Sequence, residues 1–321
     1  MLRRGSLAAT RVAVRNAPHV KTNRRTFFSR SGSSKGPSNA DGPSSAGNGS
    51  AGEQCGEDSY FMTPNLVGVA DGVGGWNENG VDPGEISRSL MRNASTIVKS
   101  AGHASTITTQ EVLARAYAKA VADEKVEAGS TTACIVRLKE SSDGRALLEY
   151  TNLGDSGFAL IRDGAVIFRS KFQVSIACAS VFVDGSALTN HCLSPQYYGR
   201  APYQLAKIPP RFKIYGAIEN KPSDADFGEV EVQDGDIIVL ATDGIWDNFS
   251  SDLLSAKAFF PPYLSWRRHW QNEIAGLVET MVDDAPQQAA HSIVRAALRH
   301  NLKPDDITVI VAKVVRVAPK L

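Results

Sequence analysis

The hydrophobic positions of this chain first follow a helical period and then change to a strand period. One helical pattern begins at Asp82-Pro83, where an acidic cap precedes a proline suited to a first helical turn. A second covers roughly residues 109–127. The residues expected on their buried faces are Ile86, Leu90, Ala94 and Ile97 in the first, and Val112, Ala116, Ala120 and Val121 in the second. This spacing predicts two consecutive amphipathic helices.

Apolar runs of strand length follow the two helices. Residues 130–138, 146–153, 157–162 and 165–170 predict a β-meander, with Arg162-Asp163-Gly164 as a hairpin turn. Later segments predict strands at 228–232, 237–242 and 307–311, and helices at 266–282 and 286–300. Strands first and last with helix pairs between them predict an α+β fold, a β-sandwich of two mostly antiparallel sheets flanked by helix pairs.

The charge of the chain is unevenly distributed. The 321 residues carry a net charge of +1, but the first 30 contain eight Lys or Arg and no acid, so the remainder carries −7. On a helical wheel, Arg3, Arg4, Arg11 and Arg15 fall within an arc of about 120°. This composition is typical of a mitochondrial transit peptide, and Arg24-Arg25-Thr26-Phe27-Phe28-Ser29 resembles a matrix-processing site. We expect a transit peptide at 1–31, with cleavage between Phe27 and Ser31.

Residues 32–55 are rich in Ser, Gly, Asn, Pro and Ala, which predicts a disordered linker. We place a single domain at 56–316. Its negative charge argues against nucleic-acid binding, and no apolar run is long enough to span a membrane. The four cysteines show no CxxC pair and suggest neither a zinc site nor a disulfide framework.

Carboxylates gather at the ends of several predicted strands. Asp71 ends the run 66–71, Asp243 follows the run 237–242, and Asp305 and Asp306 precede the last strand. Glu57 and Asp58 open another strand near the start of the domain. Carboxylates without histidine or cysteine companions favour hard, oxygen-loving cations such as Mg²⁺ or Mn²⁺.

Five of these stretches together resemble the signature series of the PP2C-type metal-dependent Ser/Thr phosphatases. In order they are GEDSYF (56–61), GVADGVGGW (68–76), NLGDSG (152–157), LATDGIWDN (240–248) and KPDDITVIV (303–311). DGVGGW followed by GVDPGEIS resembles the mitochondrial, PTC7-like branch of that family. The resemblance implies a PP2C-like sandwich and phosphoserine or phosphothreonine protein substrates among the metabolic enzymes of the mitochondrial matrix.

The resemblance also implies a set of metal ligands. Asp71 would bridge two Mg²⁺ or Mn²⁺ ions, with Glu57 and the Gly72 carbonyl on one ion and Asp243 and Asp305 on the other. Asp71 and Asp243 are the residues on which catalysis would depend. Asp58 and Asp155 would serve as outer ligands or hold a third ion, and each could equally be a structural turn residue.

The sequence departs from the family pattern at three places. Val73 stands where the commonest version has a histidine thought to act as general acid. Residues 49–56 contain no basic side chain, although many relatives place a phosphate-binding arginine there. Residues 31–52 show only low complexity where relatives contribute an edge strand. The rival interpretation is therefore a PP2C-like module that binds metal or phosphoprotein without turnover.

Gly154-Asp155-Ser156-Gly157 also matches the tetrapeptide around the nucleophile of trypsin-like serine proteases. That triad runs His, Asp, Ser along the chain. Only His19 and His103 precede Ser156, and neither lies in a matching motif. A protease is therefore disfavoured.

Residues 174–196 have no counterpart in the family pattern. Without them, the motif SKFQ leads through YYGRA into PYQL, as the resemblance predicts. The codons for Val174 and Gln196 permit in-frame splice signals. A retained intron is the favoured interpretation, and a genuine surface insertion is the rival.

Overall fold

The computed structural model describes residues 11–16, 56–101, 106–176, 182–183, 186–187, 200–212, 218–249, 273–278, 286–300, 302–303 and 305–317. The helices are α1 (Gly84–Ala101), α2 (Thr109–Ala122), α3 (Asp243–Phe249) and α4 (Pro286–His300), and residues 273–278 are also helical. The longer strands are β1 (Arg11–Asn16), β2 (Asp58–Met62), β3 (Leu66–Asp71), β5 (Ala133–Glu140), β6 (Ala146–Leu153), β7 (Gly157–Arg162), β8 (Ala165–Arg169), β14 (Asp226–Glu231), β15 (Ile237–Ala241) and β16 (Val309–Val317). Short strands are β4 (Gly129–Thr131), β9 (Val174–Ile176), β10 (Phe182–Val183), β11 (Ser186–Ala187), β12 (Arg200–Pro202) and β13 (Leu205–Lys207).

The long strands form two five-stranded antiparallel sheets. Their strand orders are β14-β6-β5-β3-β2 and β1-β16-β15-β7-β8. Side chains alternate between the two faces of each strand, as the pleat requires. Val69 and Leu240 point into the apolar layer between the sheets, whereas Ala70 packs under α1 and α2 and Ala241 under α3 and α4. The predicted sandwich of two sheets flanked by helix pairs is confirmed.

The first helix begins as its sequence predicts. Asp82 Oδ1 accepts a hydrogen bond from the Gly84 N–H at 2.9 Å. In α2, Thr108 and Glu111 form a capping box. The helix ends at Ala122, earlier than predicted, and the side chain of Val121 is half-buried. The other seven apolar residues expected on the two helices are buried.

The strands at 130–170 do not form one continuous meander. β5 pairs with β6, and β7 pairs with β8 through a turn in which Asp163 and Gly164 both have positive φ, as a type I′ hairpin requires. β6 and β7, however, belong to different sheets. Gly154, with φ of 103°, turns the chain from one sheet to the other. This crossover carries Asp155 to one end of the sandwich.

The amino-terminal segment contributes a strand that the sequence analysis missed. β1 pairs antiparallel with β16 at the edge of the second sheet. The helical wheel is therefore wrong for 11–16, because pairing with β16 satisfies the backbone in an extended conformation. An edge strand is present, but it comes from 11–16; the segment 31–52 lies outside the described residues.

Only part of 174–196 lies within the described residues. β9 pairs with β12, and β10 pairs with β11 as a two-stranded ribbon. The flanks of the excursion meet, because the Tyr203 N–H donates to the Gln173 carbonyl at 3.0 Å. The residues on either side of this segment are therefore close together in the domain. Within the described residues, no helix is long and apolar enough to cross a membrane.

Candidate metal centre

Strand ends from both sheets meet at one end of the sandwich and gather acidic side chains there. β2 and β3 place Asp58 directly opposite Asp71 in the first sheet. β15 leads into Thr242 and Asp243 in the second. The Thr242 hydroxyl donates to Asp58 Oδ2 at 2.9 Å, and the Thr242 N–H donates to the Thr308 carbonyl at 3.1 Å. The hydrogen bond from Thr242 to Asp58 connects the two sheets at the acidic end, and the one from Thr242 to Thr308 holds Thr242 within the second sheet.

Glu57 is held at both its backbone and its side chain. Its carbonyl accepts hydrogen bonds from the Gly72 N–H at 3.1 Å and the Ser87 hydroxyl at 2.6 Å. Its N–H donates to Asp306 Oδ2 at 2.8 Å, and its carboxylate accepts from the Asn77 amide at 2.7 Å. Burial and then the charge of Asp306 raise the pKa of Glu57 to about 7, against the effect of Asn77.

Asp71 lies where β3 ends, with its backbone fixed by Thr131 and Thr132 at the junction of β4 and β5. Its N–H donates to the Thr132 hydroxyl at 3.3 Å, and its carbonyl accepts from the Thr132 N–H at 2.9 Å and the Thr131 hydroxyl at 2.8 Å. Burial, and then the nearby Asp243, raise the pKa of Asp71 well above its ordinary value. The carboxylate is therefore held where its negative charge lacks compensation.

Two glycines keep space around these acids. A β-carbon at Gly72 would lie 2.3 Å from the Pro83 carbonyl oxygen. At Gly74 it would lie 2.8 Å from Glu57 Oε2. The contact at Gly72 is with backbone, so the turn needs glycine where it passes Pro83. The Glu57 carboxylate is the end of a flexible side chain and can move away from a β-carbon at Gly74.

Asp243, Asp247 and Asp305 form the second part of the cluster, around the ammonium of Lys303. Asp243 Oδ2 contacts Lys303 Nζ, which also lies 2.9 Å from Asp247 Oδ2 and 3.0 Å from Asp305 Oδ2. Burial opposes the charge of Lys303, but the three acids raise its pKa. Asp243 Oδ1 is buried and accepts no hydrogen bond from any described residue.

Asp155 and Asp58 complete the set predicted from the sequence. Burial, followed by the charge of Asp243, raises the pKa of Asp155 well above its ordinary value, and Lys303 lowers it. Asp58 is fully buried, and burial raises its pKa against the hydrogen bond from Thr242. The seven predicted residues, Glu57, Asp58, Asp71, Gly72, Asp155, Asp243 and Asp305, therefore all belong to one end of the molecule.

Four residues of this region were not predicted as part of the site. Asp247 lies one helical turn after Asp243, and this i, i+4 spacing was a usable signal. Asp306 was visible only as a neighbour of Asp305. Asn77 gave no signal, because its partner Glu57 lies in another motif. Lys303 lies in the same motif as Asp305, but its contacts with Asp243 and Asp247 come from a distant motif.

The family pattern has a histidine at the position of Val73 and an arginine before the first motif, and this chain has other residues near both places. Val73 packs against Trp76, Val81 and Ala128, so the turn offers an apolar side chain where the commonest family pattern has histidine. Next to the first motif, Arg88 Nη1 donates to the Gly56 carbonyl at 3.2 Å. A guanidinium thus reaches this edge of the site from α1, and not from residues 49–56.

Ser156 does not have the surroundings of a protease nucleophile. It is fully buried, and its hydroxyl shares a 2.7 Å hydrogen bond with the Thr132 hydroxyl. A serine nucleophile must be exposed to substrate and next to a base. The match of 154–157 to the protease tetrapeptide therefore does not indicate a protease, and Ser156 has a structural role.

The residues fit hard divalent cations. The side-chain donors are carboxylate oxygens, and one of them, Asp243 Oδ1, is buried without a partner. Among the described residues, no group of three acidic, histidine or cysteine side chains is arranged to hold a metal ion by itself. Water would therefore complete the coordination, as Mg²⁺ prefers. The carboxylates also repel one another, which a cation would relieve.

The raised pKa values predict how the metal-free protein responds to pH. The pKa of Glu57 rises from 4.5 to about 7, and burial and Asp243 raise that of Asp305 from 3.8 to about 6. Between these limits the folded protein holds protons that the unfolded chain has lost, so the free energy of unfolding falls as pH rises. Urea unfolding in EDTA at about pH 5 and about pH 7.5 measures this difference. A free energy of unfolding that rose from about pH 5 to about pH 7.5 in EDTA would contradict the assignment. So would a change with pH that is as large in Mn²⁺ as in EDTA.

Comparison with curated proteins finds protein phosphatases among the relatives of this chain, although no protein-family model matches it. The chain is 36% identical to protein phosphatase 2C homolog 7, mitochondrial, of Saccharomyces cerevisiae over 61% of its own length and 54% of the relative's. It is 36% identical to the protein phosphatase PTC7 homolog of Xenopus laevis over 60% and 57%. The chain thus spans just over half the length of these two relatives. To the PTC7 homolog fig of Drosophila virilis it is 31% identical over 80% and 77%.

Solved structures share the fold. The photosystem II phosphatase PBCP superposes with a TM-score of 0.54 at 24% identity, covering 80% of this chain and 91% of that one. The catalytic domain of the phosphatase PstP in complex with two manganese ions gives 0.51 at 18%, covering 95% and 100%. The two sheets and their helix pairs define the PP2C fold. Within that class, the chain belongs to the family of PTC7 homologues of PP2C-type protein phosphatases.

Proposed function

We propose that this protein is a Mg²⁺- or Mn²⁺-dependent protein serine/threonine phosphatase. One observation carries the proposal: acidic residues from four strand ends in two sheets meet at one place, where Asp243 Oδ1 is buried without a hydrogen bond. Membership of the PTC7 family supports it.

The proposed ligands divide between two positions. Glu57 and the Gly72 carbonyl would hold one ion, Asp243 and Asp305 would hold the other, and Asp71 would serve both. Two such ions, when bound, neutralise phosphoryl oxygens and lower the pKa of an attacking water. Asp58 and Asp155 would be outer groups of this set.

The other residues of the chain hold this arrangement in place. Asn77 orients the Glu57 carboxylate from the turn at Gly74–Asn79, and Thr242 orients Asp58. Val73 has no proton to donate, so the leaving serine or threonine oxygen must receive its proton from another group. We expect a low turnover for this reason.

The substrates we propose are phosphoserine and phosphothreonine proteins, among them metabolic enzymes of the mitochondrial matrix. The names of the relatives support a protein phosphatase, and the yeast relative is named mitochondrial. The manganese complex of PstP makes Mn²⁺ the first ion to test.

Hydrolysis of an aryl phosphate and of a phosphothreonine peptide tests the function. We expect hydrolysis with added Mn²⁺ and none in EDTA. Hydrolysis that persists undiminished in EDTA would contradict the metal mechanism. Mn²⁺ binding without any turnover would favour the non-catalytic module, which the loss of the expected basic group at Val73 makes the second candidate.

We also propose that residues 1–31 direct the protein to mitochondria and are removed on import. Cleavage between Phe27 and Ser31 would also remove β1 and leave β16 as the edge of its sheet. Amino-terminal sequencing of the protein isolated from mitochondria should find a start in this range. An intact Met1 or Leu2 would argue against removal and for β1 as a permanent strand.

Residues 174–196 are proposed to be dispensable, either as a retained intron or as a surface insertion. Because Gln173 and Tyr203 are hydrogen bonded to each other, deletion of 174–196 leaves residues 197–202 as a short connection between them. Urea unfolding and Mn²⁺ binding should change little, since loop length has a small entropic effect. Loss of Mn²⁺ binding in the shortened protein would show that the segment belongs to the site. Sequencing the transcript distinguishes the intron from the insertion.

A further inference from the structure

The ammonium of Lys303 lies among three carboxylates of the candidate metal centre. Its Nζ contacts Asp243 Oδ2 and lies 2.9 Å from Asp247 Oδ2 and 3.0 Å from Asp305 Oδ2. Its charge also acts on Asp155. The ammonium is therefore placed where four acidic side chains from α3, the β6–β7 crossover and the approach to β16 face one another, and the charge of Arg169 also reaches Asp247.

The backbone of Lys303 is fixed by the same helix that carries two of these acids. Asn248 Oδ1 accepts from the N–H groups of Leu302 at 2.8 Å and Lys303 at 3.1 Å. The Asn248 amide donates to the Lys303 carbonyl at 2.7 Å and to the Gly244 carbonyl at 2.8 Å. Asn248 is almost fully buried. The lysine therefore starts from a rigid position beside Asp243 and Asp247.

The contacts of Lys303 leave one carboxylate oxygen of the acidic cluster without a partner among the described residues. Lys303 takes Oδ2 of Asp243, while Oδ1 of the same carboxylate remains buried without a partner among the described residues. Asp305 uses Oδ2 for Lys303 and Oδ1 for the Asp306 N–H at 2.9 Å. Asp243 is thus oriented with one oxygen on the ammonium and the other facing away from it.

We propose that Lys303 is a built-in cation that occupies the space between Asp243, Asp247 and Asp305, so that the protein binds two divalent ions and excludes a third. The ammonium supplies the charge that a third ion would otherwise bring, and it orients Asp243 towards the two proposed ion positions. The lysine side chain is 35% exposed, so a hydrated ion could reach this space if the ammonium were absent. The proposal rests on the proposed metal-dependent function.

Equilibrium dialysis against Mn²⁺, with bound metal measured by elemental analysis, tests the number of ions directly. We expect two Mn²⁺ per chain in the unaltered protein and three in Lys303→Met. Lys303→Arg, which keeps the charge, should bind two. The matched control is Lys139→Met, which removes another lysine placed between two carboxylates, Glu149 and Glu229, in the first sheet; it should also bind two.

Several outcomes would overturn the proposal. One is a third Mn²⁺ bound by the unaltered protein. Another is a Lys303→Met variant that binds the same number of Mn²⁺ ions with the same affinity as the unaltered protein. Two ions bound about tenfold more tightly by the variant would also overturn it, because the lysine would then compete for the two main positions. If the unaltered protein binds no Mn²⁺, the proposed function fails instead, so the two failures are distinguishable.

A measurement on the unaltered protein covers the case in which Lys303→Met does not fold. Anomalous scattering from crystals soaked in Mn²⁺ locates each ion. Two peaks with Lys303 still between Asp243 and Asp247 would support the proposal. A third peak in that space, with the lysine displaced, would refute it.

Discussion

Replacing Asp71 with asparagine is expected to lower metal-dependent kcat by about a thousandfold or more. The change is almost isosteric, but it removes the charge that would bridge the two ions, and ions of this kind contribute several kcal/mol of transition-state stabilisation. The fold should persist, because the variant removes a buried carboxylate whose pKa is raised by burial and by Asp243. The measurement is aryl phosphate hydrolysis in Mn²⁺, with urea unfolding of the metal-free protein alongside it.

Asp143→Asn is the matched control for this variant. Asp143 is an exposed acid in the β5–β6 turn, where it pairs with Arg145. Its replacement should leave hydrolysis unchanged. Full activity in Asp71→Asn would refute the bridging role, and unfolding of that variant in EDTA would show that Asp71 is a structural residue.

Gly244→Ala is expected to damage the candidate centre through the backbone. A β-carbon at Gly244 would lie 2.0 Å from the carbonyl oxygen of Asp306, so α3 and the segment before β16 would have to separate. Overpacking of this kind typically costs about 1–3 kcal/mol of stability. The same movement displaces Asp243 from Asp305, and Mn²⁺ affinity should fall by about tenfold or more for a loss of this size.

Gly75→Ala provides the comparison. Gly75 lies in the turn after Asp71, and a β-carbon there would meet nothing within 4 Å. Urea unfolding and Mn²⁺ titration of both variants measure the two effects. Equal behaviour of the two alanine variants would show that the contact at Gly244 relaxes without disturbing the ligands.

The local patterns of the sequence predicted most of the elements correctly. The strands Ala146–Leu153 and Gly157–Arg162 and the helix Pro286–His300 have the predicted bounds. Each has a clear apolar period and a turn or cap at its ends, so short-range physics suffices. The predicted helix at 266–282 is described only at 273–278, where it is helical.

Patterns along the chain could not decide which strands pair. β6 and β7 are consecutive and both apolar, yet Gly154 sends them into different sheets. β1 lies in a segment whose composition predicts a leader, and its pairing with β16 joins the two ends of the chain. Such pairings depend on which partner is available in space, information that no local window contains.

The same division applies to the candidate centre. The carboxylates at strand ends could be predicted from the sequence, because an apolar strand that stops at an acid is a local pattern, and the order of five motifs indicated the family. The support that Asp306 gives Glu57 across 249 residues of sequence could be seen only in the folded protein. The same holds for Lys303, which faces three acids. The reason is physical: the two sheets fix their relative position through contacts such as Thr242 with Asp58, and charge neighbours follow from that packing.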